Sequence, residues 1–154
     1  MFDVKVTTTK ASTDCGAACM VSFLAYYGVD IDLETARKEC NIKVGGCTGK
    51  DLLVCGRKHG LDMIPWGEDG IWETDDDARK TDVDVIEQDR PSICWWQKRH
   101  WVICCGLDDN NPNKVVIMNP SRGRYSISKS LFKAFYSGLS ITNGIPERLP
   151  DTTE

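Results

Sequence analysis

The chain has 154 residues, 41% hydrophobic and 27% charged, with a net charge of −4. That length is enough for one domain with a real core, and no apolar run approaches the ~18–20 residues of a membrane span. The acidic balance argues against general nucleic-acid binding.

Residues 15–27 are apolar nearly all round, the pattern of a helix buried on most sides, and Gly28 ends the run. A second helix is predicted from Asp32 as N-cap through Leu33, Ala36 and Cys40. A third starts at Thr48, with Asp51 as its capping partner. It turns Leu52 and Cys55 inward and stops at Gly60, a glycine suited to the position after a helix. Residues 61–66 read as a short strand. Residues 67–90 form an acidic, solvated segment, with one or two helical turns near 82–88, which near a site would repel acidic substrates or attract a basic leader. Residues 92–96, 101–106 and 114–119 are rich in β-branched and aromatic side chains and are predicted strands. A turn cluster at 107–113 joins the last two as an antiparallel pair. Residues 124–127 add a strand. Ser128 then caps a final helix with Leu131, Phe132 and Phe135 inward and Gly138 beyond. Helices followed by strands indicate an α+β layout, a helical N-terminal half with a buried central helix packed on a C-terminal antiparallel sheet. One domain is expected over residues 1–145, with a flexible tail at 146–154.

Eight cysteines suit a disulfide scaffold only in an exported protein. Met1 to Lys10 lacks a charged-then-apolar signal pattern, so the expected location is cytoplasmic and the thiols reduced. Several lie in apolar segments, where a free cysteine packs as a small hydrophobe. Adjacent Cys104 and Cys105 cannot bridge each other without strain. No Cys-x-x-Cys pair occurs, so no metal site is read.

Cys15 stands directly after Asp14 at the mouth of the first apolar helix. Unpaired backbone N–H groups and the positive end of the helix dipole favour a thiolate there. Such a nucleophile needs a base, and the chain holds two histidines. His59, at a helix C-terminus before Gly60, is explained by the dipole. His100 opens one predicted strand and Asn119 closes the next, so pairing through the 107–113 turn brings the two together. The amide oxygen is then expected to accept Nδ1–H of His100 and fix the ring's tautomer. Packing the Cys15 helix on that hairpin aligns nucleophile, base and orienting residue. Plainer readings stand beside this one: Cys15 as a core thiol like Cys19, His100 as a satisfied core histidine, Asn119-Pro120 as a strand-ending turn. Trp101 points away from His100 by strand alternation and is read as packing. Trp95 or Trp96 is left to wall a groove. Gly45-Gly46-Cys47 is read as a turn before the Thr48 cap.

The ordered set Asp14-Cys15-Gly16-Ala17-Ala18, Tyr26-Tyr27-Gly28, Gly60-Leu61, Pro91-Ser92-Ile93, His100-Trp101-Val102, Asn119-Pro120 with Gly123, and Phe135-Tyr136-Ser137-Gly138 resembles the peptidase C39 family. These are papain-like cysteine peptidases that process double-glycine leader peptides of bacteriocins. The resemblance implies Cys15 as nucleophile, His100 as general base and Asn119 as orienting residue, with no cofactor. It implies a leader peptide ending in Gly-Gly or Gly-Ala as substrate. The family often precedes a membrane transporter, so a separate or excised transporter is the implied partner, and the oligomeric state stays open. Asparagine replaces the family's usual aspartate at 119. Thr9 stands where the family has an oxyanion-hole glutamine, and Gln88 and Gln97 are distant in sequence. The Cys15 backbone N–H, with a hydroxyl from Thr9, Ser12 or Thr13, is left to complete the hole beside Asp14. Two alternatives follow: a module of weak activity that binds leader or partner peptides, and a thiol amidase or transpeptidase using the same acyl-enzyme.

Overall fold

The computed structural model describes residues 1–65 and 85–144. A 3-10 turn, Ser12–Asp14, leads into α1 (Cys15–Tyr26), followed by α2 (Leu33–Glu39), α3 (Gly49–Lys58) and β1 (Met63–Pro65). Then come β2 (Ser92–Trp96), β3 (His100–Asp108), β4 (Asn111–Asn119), β5 (Gly123–Ser128), α4 (Lys129–Phe135) and β6 (Tyr136–Asn143). The strands form one antiparallel sheet in the order β1-β6-β2-β3-β4-β5. The expected α+β layout is therefore the observed one.

Strand alternation sorts the core onto the two faces of the sheet. Ile93, Trp101, Ile103, Cys105, Val116, Met118, Leu139 and Ile141 pack with Cys19, Met20, Phe23 and Leu24 of α1. Cys94, Trp96, Val102, Cys104, Val115, Ile117 and Ile127 pack with Phe132 of α4. The opposite side of α1 is not free either: Ala17 and Val21 meet Ala36 of α2. A helix gripped between sheet and helices must be apolar all round, as its sequence is. Each large aliphatic or aromatic side chain so buried contributes about 1.5–3 kcal/mol.

The helix starts follow their capping chemistry. The Asp32 carboxylate accepts from Thr35 N–H at 2.7 Å. Thr48 and Asp51 form the full reciprocal box, Asp51 N–H donating to Thr48 Oγ1 at 3.2 Å and Thr48 N–H to Asp51 Oδ2 at 2.9 Å. Ser128 Oγ caps α4 through Leu131 N–H.

The sequence reading differs from the structure in three places. The β3–β4 turn is tighter than 107–113, because both strands run on to the Asp108↔Asn111 pair. Leu131, expected inside, is 40% exposed, and Phe132 alone of α4 is fully buried. The stretch after α4 is β6, which inserts between β1 and β2. Gly138, expected beyond the helix as a stop, lies inside that strand at φ +85, where the β2–β6 register shifts between the Trp96↔Tyr136 and Cys94↔Ser140 pairs. A bulge of this kind needs the left-handed conformation that glycine adopts without strain. Trp66, the acidic segment through residue 84 with the start of its expected helical turns, and the 146–154 tail lie outside the described residues. Among the described residues no helix is long and apolar enough to cross a membrane.

Candidate active site

Cys15 is the first residue of α1 and is 5% exposed. Its Sγ accepts a hydrogen bond from Trp101 N–H at 3.4 Å. The neighbour of Trp101 is His100, the first residue of β3. Two features let α1 dock this closely. Gly16 has no Cβ, and one placed there would meet Cys47 Sγ at 2.4 Å, Trp101 Cδ1 at 3.2 Å and Leu52 Cδ2 at 3.3 Å. Trp101 is buried, with its indole N–H donating to Cys47 O at 3.2 Å. It packs toward α1, as alternation requires, and away from the cleft that His100 lines.

The hairpin joins the other two residues. His100 Nε2 lies 2.8 Å from Asn119 Oδ1. The amide orientation is fixed by its other contacts: Oδ1 also accepts from Ser121 N–H at 2.9 Å, and Nδ2 donates to Tyr125 Oη at 3.1 Å. The imidazole proton facing Asn119 is therefore on Nε2. This corrects the sequence expectation of Nδ1, and the reason is geometric. The ring enters from the start of β3 and presents its outer nitrogen to the end of β4, which leaves the Nδ1 lone pair free.

Electrostatics correct a second expectation. Burial pushes the Cys15 thiol above its ordinary 9.0, against the lowering effect of the Trp101, Gly16 and Cys15 backbone N–H groups. The helix-start groups do favour thiolate, but desolvation outweighs them. Asp14, 7% exposed, pushes in the same direction as burial and is held by Arg37 Nε at 3.1 Å. His100 is shifted below 6.5 by burial, partly offset by its bond to Asn119, with Arg99 adding to the lowering. At neutral pH the resting pair is thus a thiol and a neutral imidazole.

A cleft of about 580 Å³ opens at this end of the sheet, lined by Ser12, Trp96, Gln97, Arg99, His100 and Asn119 among others. Trp96 walls it. Trp95 does not; its ring packs on Trp101 at 4.7 Å. Of the proposed oxyanion group, Ser12 reaches the cleft. The Thr9 hydroxyl accepts from Ala11 N–H at 3.3 Å, and Thr9 N–H donates to Pro120 O at 2.8 Å. Thr13 is half-buried, its carbonyl beside Gly46. Gln97, set aside for its distance along the chain, lines the cleft. It sits in the β2–β3 turn with Lys98, both at positive φ (53 and 56), and Arg99 N–H closes that turn on Trp96 O. The place of Gln97 three residues before His100 was the signal in the sequence that could have found it.

A model of the peptidase C39 family matches residues 3–144. Two curated relatives from Escherichia coli, the colicin V secretion/processing ATP-binding protein CvaB and the probable microcin-H47 secretion/processing ATP-binding protein MchF, are each 22% identical over 90% of the chain. The chain spans 18% of the length of each. Among solved structures, a double glycine motif protease from an AMS/PCAT transporter, in complex with the leader peptide, superposes with a TM-score of 0.77 at 22% identity, covering 91% of this chain and 90% of that one. The peptidase domain of Streptococcus ComA, a bi-functional ABC transporter involved in quorum sensing, gives 0.74 at 20% identity, covering 90% and 96%. These likenesses establish the papain-like fold.

Proposed function

Since the chain belongs to the peptidase C39 family and is a cysteine peptidase, we propose that Cys15 is its nucleophile, His100 its general base and Asn119 the residue that orients the base. The observation that carries this reading is the His100 Nε2–Asn119 Oδ1 bond. It holds the ring with Nδ1 unprotonated while Cys15 Sγ lies against the amide of the next residue, Trp101.

From a neutral resting pair, the proton moves during attack rather than before it. Nδ1 takes the Sγ proton as sulfur bonds to the peptide carbonyl carbon. The carbonyl oxygen becomes an oxyanion facing the Cys15 backbone N–H, with Ser12 the one of Thr9, Ser12 and Thr13 that lines the cleft. Collapse of the tetrahedral adduct breaks the C–N bond, and the imidazolium returns its proton to the leaving amine. Water, deprotonated by the same nitrogen, then hydrolyses the thioester and frees Sγ.

The substrate we assign is a double-glycine leader peptide, supported by the matched family and by the described leader complex of a similar protease. The partner is a secretion transporter, on the same polypeptide or separate, with the peptidase acting on its cytoplasmic side. A second reading, a peptide-binding module with weak catalysis, draws on one observation: the family's glutamine is replaced by Thr9, whose hydroxyl is bound to Ala11 N–H.

The substrate assignment is tested with a synthetic leader–cargo peptide carrying a Gly-Gly junction and its variant with both glycines replaced by leucine. Cleavage after the second glycine, and loss of cleavage in the variant, is expected. Equal cleavage of both peptides contradicts the assignment.

A further inference from the structure

Away from Cys15, the end of α2 and the last turn of α3 converge on a cluster of three metal-ligating side chains, Glu39, Cys55 and His59, with the Cys40 thiol beside Cys55. Glu39 closes α2 and Cys40 follows it; Cys55 and His59 stand four residues apart, on one face of α3 and its cap. Glu39 Oε2 lies 2.5 Å from His59 Nε2 and 3.8 Å from Cys55 Sγ. One ligand atom from each of these three falls within 4.8 Å of the others. The Cys40 thiol is hydrogen-bonded to that of Cys55, and both are fully buried. The Glu39 and His59 side chains are 13% and 20% exposed, so the cluster opens to solvent on that side. Lys58 Nζ approaches the other carboxylate oxygen, Oε1, at 3.9 Å.

The plainer reading is a partly buried Glu39–His59 ion pair tying α2 to α3. It explains the carboxylate and the imidazole, since charges leaving water need partners. It gives no reason for two thiols to meet at the inner side of that pair. Two cysteines, a histidine and a carboxylate drawn from two helices are a donor set for tetrahedral zinc, and the sulfurs exclude the hard ions magnesium and calcium.

We propose that Glu39, Cys55 and His59 form a zinc-binding site separate from the Cys15 site, with the neighbouring Cys40 thiol drawn in as the fourth ligand. Zinc holds oxygen and nitrogen at about 2.0–2.2 Å and sulfur at about 2.3 Å, which spaces tetrahedral ligand atoms roughly 3.3–3.8 Å apart. The Cys55–Glu39 separation already has that value. The Glu39 and His59 groups must part by under about 1 Å to admit the ion, and both sit at the solvent side, where they can turn. Binding displaces the thiol protons into solvent. The bound ion then ties the end of α2 to the last turn of α3, and so closes the loop of chain made by the α2–α3 connection and α3 itself. That connection carries Cys47, whose carbonyl accepts from the Trp101 indole beside Cys15. The ion therefore stiffens the ground under the active site without touching it. The cysteines are too far apart in sequence to form a short motif, so a search for Cys-x-x-Cys passes over them.

The test uses the full chain carrying Cys15→Ala, reduced and freed of metal, so that the Cys15 thiol cannot contribute a ligand. Cobalt(II) is titrated first and zinc(II) second. Expected are one cobalt per chain, a thiolate-to-cobalt charge-transfer band with the intense ligand-field bands of a tetrahedral site, displacement by zinc, and a zinc-dependent rise in Tm. Cys55→Ser and His59→Gln in that background should each weaken binding at least about 100-fold, the upper end of what even an outer-shell loss costs. Should Cys55→Ser fail to fold, His59→Gln, checked by circular dichroism, carries the test. Absence of the charge-transfer band, or cobalt binding undiminished in folded His59→Gln, overturns the proposal.

Discussion

His100 Nε2 and Asn119 Oδ1, at the outer ends of adjacent strands, lie 2.8 Å apart, and the amide that joins them is itself pinned by Ser121 N–H and Tyr125 Oη. This bond decides which imidazole nitrogen is free to work. It also sets the acid side of the pH profile. Burial holds His100 below its ordinary 6.5, so the base stays neutral down to a pH below that value, and the acid limb of kcat/KM lies below 6.5. Asn119→Asp puts a negative charge beside the ring, favours the imidazolium and should move the limb upward. Asn119→Ala removes the bond's raising effect and should move it downward while lowering kcat, because the ring loses its orientation. A pH–rate series on the three proteins checks both directions. The same depression works against folding in acid. As pH falls through 6.5 the unfolded chain binds a proton at His100 before the folded chain does, so stability contributed by this site falls in that window.

Alkylation reads the thiol side of the pair. Cys15 is raised by burial, yet less deeply enclosed than Cys104 and Cys105, both pushed up to about 12, or Cys19 and Cys94, both pushed well above the ordinary thiol value. With His100 to take its proton, Cys15 should be labelled before these four by iodoacetamide at neutral pH, and His100→Ala should slow that labelling. Asp14 disfavours the Cys15 thiolate, so Asp14→Asn should shift the alkylation profile to lower pH. Peptide mapping against pH provides the measurement. Labelling of Cys104 ahead of Cys15 contradicts an activated nucleophile.

The layout of helices and the β3–β4 hairpin could be read from residue types because local rules and tertiary packing agree there. Thr48 with Asp51, Ser128, and the apolar run from Cys15 each mean one thing. β6 was hidden because Tyr136–Asn143 mixes serines, a glycine and a threonine with only two aliphatic side chains. Two of its polar positions find tertiary partners, Thr142 Oγ1 donating to Pro91 O and Asn143 Oδ1 accepting from Asp62 N–H. The juxtaposition of His100 with Asn119, beside the start of the Cys15 helix, was legible for the opposite reason: two histidines leave little choice, and strand ends are simple to bring together. The protonated nitrogen of His100 and the state of the Cys15 thiol were not, since one depends on the ring's direction of entry and the other on how deeply the helix start is buried.

Thr9 supplies the third prediction. The sequence resemblance puts Thr9 where a long amide donor is expected; its hydroxyl is bound to Ala11 N–H, while Thr9 N–H anchors the segment to Pro120 O beside Asn119. Thr9→Gln keeps that backbone bond and extends a donor toward the oxyanion. Turnover should rise, by up to ~2.7–4 kcal/mol of transition-state stabilisation where the geometry is ideal. Unchanged kcat means that another donor lining the cleft, such as Ser12 or Gln97, already completes the hole. A fall in kcat with unaltered folding means that Thr9 itself serves the reaction.

The most direct test of the central assignment is a double-mutant cycle on cleavage of the Gly-Gly peptide, with Cys15→Ala, His100→Ala and the double variant compared as single turnovers. Residues that act as one unit lose their function once, not twice. The double variant should therefore be about as slow as Cys15→Ala alone. Losses that multiply, or a Cys15→Ala enzyme that still cleaves at the wild-type rate, would contradict it.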